Sequence, residues 1–169
     1  MKKRIYLSLG SNLGDRECQL EEAQKQLQEQ VGSGMQASGI YESPAWGYAS
    51  TNNFLNCCVS VHTKLEPLQV LDAILRIEKG MGRIRGISGK GRARYVDRMI
   101  DIDLLLYGNL SFDHPRLVLP HPALADRRFV LAPLNDIAAS LVHPVLGLPI
   151  GRLLDLCKDP VEVWPYERS

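Results

Sequence analysis

Little in this chain is in excess, and each shortage excludes something. The formal charge over 169 residues is only +1, so no global field selects a partner and any electrostatic argument has to be local. No run approaches the ~20 apolar residues of a membrane span. The opening "MKKRIYLSLGSN" meets Ser and Gly too soon for a signal peptide. These absences predict a cytoplasmic protein that meets no membrane. Cysteine is sparse: Cys18, Cys57, Cys58 and Cys157 show no CxxC spacing, and the adjacent pair would face opposite sides of a strand. Reduced, mostly buried thiols follow, rather than a disulfide framework or a zinc site. No P-loop is present, because "GISGKGRA" fails the required spacing and hydroxyl. Nor does "GMGRIRG" follow a strand and open a helix, as a dinucleotide fingerprint does.

What is present is enough apolar material for a core. At 45% hydrophobic residues, with no repeat or linker, the chain reads as a single domain spanning 1–169. Ile5, Leu7 and Leu9 alternate with Tyr6 and Ser8 in a first strand that ends at "GSNLGDR". Leu20, Ala23, Leu27 and Val31 then fall at helical spacing, with Asn12 or Asp15 as the cap and Gly32 as the stop. Residues 35–43 and 53–63 read as two more strands, joined by "SPAWGYASTN". Pro67 opens a second helix with Leu68, Leu71, Ile74 and Leu75 as its stripe and Gly80 at its end. Residues 83–96 look irregular, and one more strand follows. Strand, helix, strand, strand, helix, strand is the split βαβ order, so the predicted class is α/β (α+β), a ferredoxin-like, mainly antiparallel sheet with helices packed on it. Beyond it, "FVLAPLNDIAA" and "PIGRLLDL" read as short helices broken by prolines.

The last of those strands carries the chemistry. In "DRMIDIDLLLYG" a run fit for a buried strand begins with Asp101 and Asp103. Two apart in a strand, they share a face with Leu105 and Tyr107, their Cβ atoms about 7 Å apart. Ile100, Ile102, Leu104 and Leu106 form the other face. Two such charges repel by about 2 kcal/mol at an effective dielectric near 20, so the pair wants a cation or a strong donor between its members. Just upstream lie Arg83, Arg85, Lys90, Arg92, Arg94 and Arg98, among Gly86, Gly89 and Gly91, with Asp97 the only acid. Taken alone, such a run is a solvated loop. Leading into two strand carboxylates, it suits a polyphosphate and its divalent metal, and all-oxygen ligands favour magnesium over zinc.

Phe54 and Asn56 share one face of their strand, while Leu55, Cys57, Val59 and Val61 make the core face. An aromatic beside an amide can stack on a flat heterocycle and bond its edge, although plain packing is the ordinary role of a strand Phe. His114, His121 and His143 each precede a proline, too far apart for a metal site, and loop structure is their ordinary role. His121 can donate to a phosphate oxygen, and Arg127 can add a charge-assisted bond.

The ordered segments "GSNLGDR", "YESPAWG", "FLN", "RIEKGMGRIR", "RMIDIDLLLYG" and "LPHPALADRRFVLAPL" closely resemble the 6-hydroxymethyl-7,8-dihydropterin pyrophosphokinases of folate biosynthesis, over residues 5 to 155 or so. The resemblance implies transfer of pyrophosphate from ATP to the pterin hydroxymethyl group, with release of AMP. It implies that Asp101 and Asp103 bind two magnesium ions, and that Phe54 and Phe129 sandwich the pterin. Asn56 and the backbone from Ser43 and Pro44 to Trp46 would satisfy the pterin's polar edge. Arg83 and Arg98 would line the triphosphate and serve catalysis, His121 and Arg127 would contact the nucleotide, and Glu78 would stand near the reaction centre on the nucleotide side. Loops around Leu13, Trp46 and residues 83–97 would close over the substrates.

Departures from the family pattern cluster before Arg98. Val96 and Asp97 stand where a small residue and then Pro, Ser or Ala are usual. An acid there would weaken ATP binding or pair with a neighbouring Arg, which bears on Arg92 and Arg94. The rival reading is a ferredoxin-like nucleic-acid-binding module using the basic loop 83–98, with Phe54 stacking a base. A kinase passing one phosphoryl group is the other. The expectation adopted is the pyrophosphokinase, acting as a monomer on ATP and the pterin alcohol, without nucleic acid.

Overall fold

The computed structural model describes residues 1–82 and 97–168; Arg83, Arg85, Lys90, Arg92, Arg94, Tyr95 and Val96 lie outside them. Strand β1 (Lys3–Ser11) leads into helix α1 (Arg16–Gln30), capped by Asp15, whose Oδ1 accepts the Cys18 N–H at 3.1 Å. Strands β2 (Ser33–Ala37), β3 (Tyr41–Ser43) and β4 (Phe54–Thr63) follow, then helix α2 (Pro67–Gly80) and strand β5 (Asp101–Tyr107). The sheet order is β5-β1-β4-β3, with β2 also paired to β4 and these neighbours antiparallel. This is the predicted split βαβ order.

Two apolar clusters sandwich the sheet. Ile5, Leu7 and Leu9 of β1 and Leu55, Cys57, Val59 and Val61 of β4 pack with Leu20, Ala23 and Leu27 of α1 and with α2. On the opposite face Tyr6, Cys58, Leu105 and Leu106 pack against helices α3 (Arg128–Ala138) and α4 (Ile150–Leu156). Cys57 and Cys58 therefore do face opposite ways, and all four cysteines are free thiols. The return from α1 is tight at Gly32, where an added Cβ would lie 2.3 Å from the His62 carbonyl oxygen. Only glycine admits that approach.

Several local expectations change. The strand read over 35–43 is broken, because the Ser38 hydroxyl accepts the Cys58 N–H at 2.9 Å and takes the place of a backbone carbonyl in the ladder. The buried stripe of α2 is Val70, Ala73, Ile74 and Ile77, spaced i, i+3, i+4, i+7; Leu68, Leu71 and Leu75 flank it, half-buried. Strand β5 carries a bulge: Leu7 pairs with Leu104 and Tyr6 with Leu106, so Leu105 is the extra residue. Leu105 and Leu106 consequently join the same cluster, and Tyr107 joins the face of Ile102 and Leu104. Helix α3 runs through buried Pro133 without breaking. Two short strands, β6 (Phe112–His114) and β7 (Leu117–Leu119), form a separate hairpin. The last residues add strand β8 (Trp164–Pro165) beside β3, and Tyr166 donates its hydroxyl to Glu17 at 2.7 Å.

Candidate active site

The α3/α4 layer covers only part of its sheet face. Beyond Tyr6 and Cys58 the same face carries Ser8 and Gly10 of β1, Phe54 and Asn56 of β4, and Asp101 and Asp103 of β5. Register brings them together: Ser8 pairs with Asp103, and Gly10 pairs with both Asp101 and Asn56. The result is a cavity of about 250 Å³ lined also by Ser43, Pro44, Trp46, Tyr48, Arg98, His121, Arg127 and Phe129. Of the residues singled out in the sequence, Arg83 lies outside the described residues and Glu78 is not among those lining the cavity. The other eleven line it together.

Glu78 lies behind the strand. Only 1% exposed, its Oε2 accepts the Ile102 N–H at 2.9 Å. Since β5 is the sheet edge, that N–H finds a side chain where an inner strand would offer a carbonyl. Glu78 thereby holds the one residue between the two aspartates.

Part of the cavity lining is aromatic. Phe54 and Phe129 line it, and Asn56, 2% exposed, donates from Nδ2 to the Ser43 hydroxyl at 2.9 Å. This bond turns the Asn56 Oδ1 toward Gly10, so the wall combines ring faces with a fixed acceptor. The Arg127 guanidinium stacks 4.5 Å from the Trp46 ring centroid and 5.8 Å from that of Phe129. Its Nε is buried with no hydrogen-bond partner among the described residues.

Another part of the lining is charged. Arg98 Nη1 lies 3.1 Å from Asp101 Oδ1, both partly buried. His121 accepts the Ala123 N–H on Nδ1 at 3.1 Å, so the neutral ring carries its proton on Nε2, as a donor. His114 and His143 likewise accept the N–H two residues on, at 3.1 and 3.2 Å. The shared turn is the loop role expected of all three, and only His121 also lines the cavity.

Burial, and then the Arg127 charge, push the His121 pKa down to about 4 from its ordinary 6.5, against the opposing pull of Asp101. The fold thus prefers neutral His121, and the unfolded chain takes up a proton first as pH falls. This contribution is intact above about pH 6.5 and is lost on the way to pH 4, on the order of 2–3 kcal/mol. Denaturant unfolding measured between pH 7 and pH 4.5 should show that decline. His121→Asn, which keeps an acceptor for the Ala123 N–H, should make it shallower.

Three lining residues escaped the sequence reading: Ser8, Gly10 and Tyr48. Ser8 and Gly10 sit on the outward phase of an apolar β1, a signal that alternation did contain. Tyr48 lies in an irregular loop and left none. The basic run expected to meet a polyphosphate lies, apart from Arg98, outside the described residues. Among the described residues no three His, Cys, Asp or Glu side chains form a metal cluster. Asp101 and Asp103 would be the residues to hold a cation there, through carboxylate oxygens alone. That suits magnesium, which keeps few protein ligands when it carries phosphates. Two carboxylates on one face and all-oxygen donors fit that ion.

Comparison with known proteins identifies the family. Residues 6–139 match the family described as 7,8-dihydro-6-hydroxymethylpterin-pyrophosphokinase. A 2-amino-4-hydroxy-6-hydroxymethyldihydropteridine pyrophosphokinase of Porphyromonas gingivalis is 42% identical over 146 residues, 86% of this chain and 97% of that protein. The enzyme of the same name from Aquifex aeolicus is 38% identical, covering 86% of this chain and 87% of its own. Among solved structures, an HPPK-DHPS crystal structure in complex with substrates superposes with a TM-score of 0.70 at 17% identity, over 92% of this chain and 43% of that one. Plasmodium falciparum HPPK-DHPS wild type with pteroate gives 0.70 at 17% identity, over 92% and 44%. The chain spans less than half of those two chains, and at such identity they speak for the fold. The nucleic-acid module finds no support in these matches. With the fold, the family match and relatives near 40% identity in agreement, the chain belongs to the 7,8-dihydro-6-hydroxymethylpterin-pyrophosphokinase family.

Proposed function

We propose that the cavity between β1, β4, β5 and the α3 layer is where this chain performs its family's reaction. That reaction moves pyrophosphate from ATP to the hydroxymethyl group of 6-hydroxymethyl-7,8-dihydropterin, in folate biosynthesis, and leaves AMP. The observation that carries the assignment is the meeting of two carboxylates, Asp101 and Asp103, with an aromatic slot and a fixed amide, Phe54, Phe129 and Asn56, in one hollow.

The roles divide by chemistry. Phe54 and Phe129 take the faces of the pterin, while Asn56, Ser43 and the backbone at Pro44 and Trp46 take its polar edge. Asp101 and Asp103 would hold two magnesium ions, which when bound supply charge neutralisation at the phosphate oxygens. Arg98, His121 Nε2 and Arg127 reach the triphosphate as donors, and Arg83 is assigned there by resemblance. Glu78 acts through the strand that bears the aspartates. In-line transfer asks for position and charge more than covalent chemistry, so no side chain is assigned as an obligatory general base. The domain is read as one unit over 1–169 that works as a monomer, in the cytoplasm and without nucleic acid. No helix among the described residues is long and apolar enough to cross a membrane.

The product decides between this reading and single-phosphoryl transfer. Incubation with ATP, magnesium and the pterin alcohol should yield AMP and the pterin pyrophosphate, resolved by chromatography. ADP in place of AMP would overturn the reading.

A further inference from the structure

Asp97 is absent from the residues lining the cavity, yet its carboxylate collects four side-chain donors. Oδ1 accepts from Asn12 Nδ2 at 2.9 Å, the Tyr48 hydroxyl at 3.0 Å and the Ser50 hydroxyl at 2.7 Å. Oδ2 accepts from Asn52 Nδ2 at 2.9 Å. These donors, the Ser50 hydroxyl foremost, hold the carboxyl below the usual carboxylate range.

Asn12, 2% exposed, is the other half of the knot. Its Oδ1 accepts the Arg98 N–H at 2.7 Å and its own N–H donates to the Arg98 carbonyl at 3.0 Å. Its Nδ2 also reaches the Tyr48 hydroxyl at 3.2 Å and the Asn52 carbonyl at 3.3 Å. Three stretches distant in sequence are tied here: the exit of β1, the loop of residues 44–53, and the lead into β5. Tyr48 and Arg98 both line the cavity, and Trp46 stands two residues before Tyr48.

We propose that Asp97 is a positioning residue for the pterin alcohol: its carboxylate clasps the 44–53 loop to the base of β5 and holds the Trp46 and Tyr48 wall ready before substrate arrives. This rests on the pyrophosphokinase reading. The 44–53 loop has no regular structure of its own, so without the clasp its ordering would be drawn from the binding energy of the pterin. Charge-assisted bonds from four donors are strong enough to order it beforehand. Alanine at 97 removes every acceptor. Asparagine keeps one oxygen, and its amide can serve Asn52 if that side chain flips, so it should restore part of the effect.

Steady-state AMP formation by the wild type, Asp97→Ala and Asp97→Asn, varying each substrate in turn, tests this. For Asp97→Ala the KM for the pterin alcohol should rise by about tenfold or more, with the KM for ATP within about twofold of wild type. Asp97→Asn should fall between. Equal rises in both KM values, or a loss confined to kcat, would overturn the clasp, since a merely structural role moves the active fraction and leaves the pterin KM unchanged. Should Asp97→Ala not fold, Asp97→Asn and Ser50→Ala carry the same comparison. Wild type that makes no AMP would overturn the functional reading, and this proposal with it; an active wild type and an unaltered Asp97→Ala would overturn the clasp alone.

Discussion

Asp103→Ala should lower the rate of AMP formation by about a thousandfold or more, roughly 4 kcal/mol of barrier, while the protein stays folded. The argument begins in the strand. Asp103 pairs with Ser8 in the ladder through its backbone, and its side chain lines the cavity beside Asp101, so alanine leaves the ladder and both apolar clusters untouched. What it removes is half of a two-carboxylate site that has no third His, Cys, Asp or Glu among the described residues to make up the loss. A divalent ion left with a single carboxylate binds weakly, and the charge developing on the transferred phosphate goes without its counter-charge. Thermal unfolding should stay within a few degrees of wild type. An AMP rate near that of the wild type at saturating magnesium would refute the metal role of this residue.

Gly10→Val should abolish use of the pterin alcohol by another route. Gly10 lies between Asn56 on β4 and Asp101 on β5 in register. A Cβ there would sit 3.4 Å from both Asn56 Oδ1 and a Phe54 ring carbon. Alanine just fits. The γ-carbons of valine extend another bond into the slot, against the amide and ring assigned to the heterocycle. A β-branched residue suits a central strand, so the sheet tolerates the change and the cost falls on the ligand. Affinity for the pterin should drop by about a hundredfold or more, near 3 kcal/mol. Binding of a non-hydrolysable ATP analogue should change by no more than about threefold. Titration of both ligands by calorimetry separates these outcomes, and unchanged pterin affinity would remove Gly10 and its neighbours from the pterin site.

How far the sequence carried these conclusions depends on the range of the interaction involved. Strand alternation is a property of a few consecutive residues, and it correctly put Phe54 and Asn56 on one face and Leu55, Cys57, Val59 and Val61 on the other. It paired Asp101 with Asp103 for the same reason. It failed beyond Leu104, where the partner strand imposes a bulge at Leu105 that no period-two pattern contains. On α2 the helical period was right and the stripe was rotated, because the three leucines chosen are half-buried flanks of a stripe whose members include Ala73 and Val70. The C-terminal residues take their place through contacts distant in sequence: Trp164 and Pro165 pair with the edge of β3, and the Tyr166 hydroxyl reaches Glu17.

By itself, then, the sequence determined the order of elements, the two-carboxylate strand, the aromatic and amide pair, and the family, since each is written in local period or ordered motif. Only the tertiary structure decided that Ser8, Gly10 and Tyr48 share the cavity, that the Glu78 carboxylate accepts a backbone N–H of β5, and that the Asp97 carboxylate binds the 44–53 loop. Those outcomes depend on contacts between residues such as Asn12 and Asp97, 85 positions apart. Strand register and the packing of separate layers create such contacts, and neither is legible in any short stretch of chain.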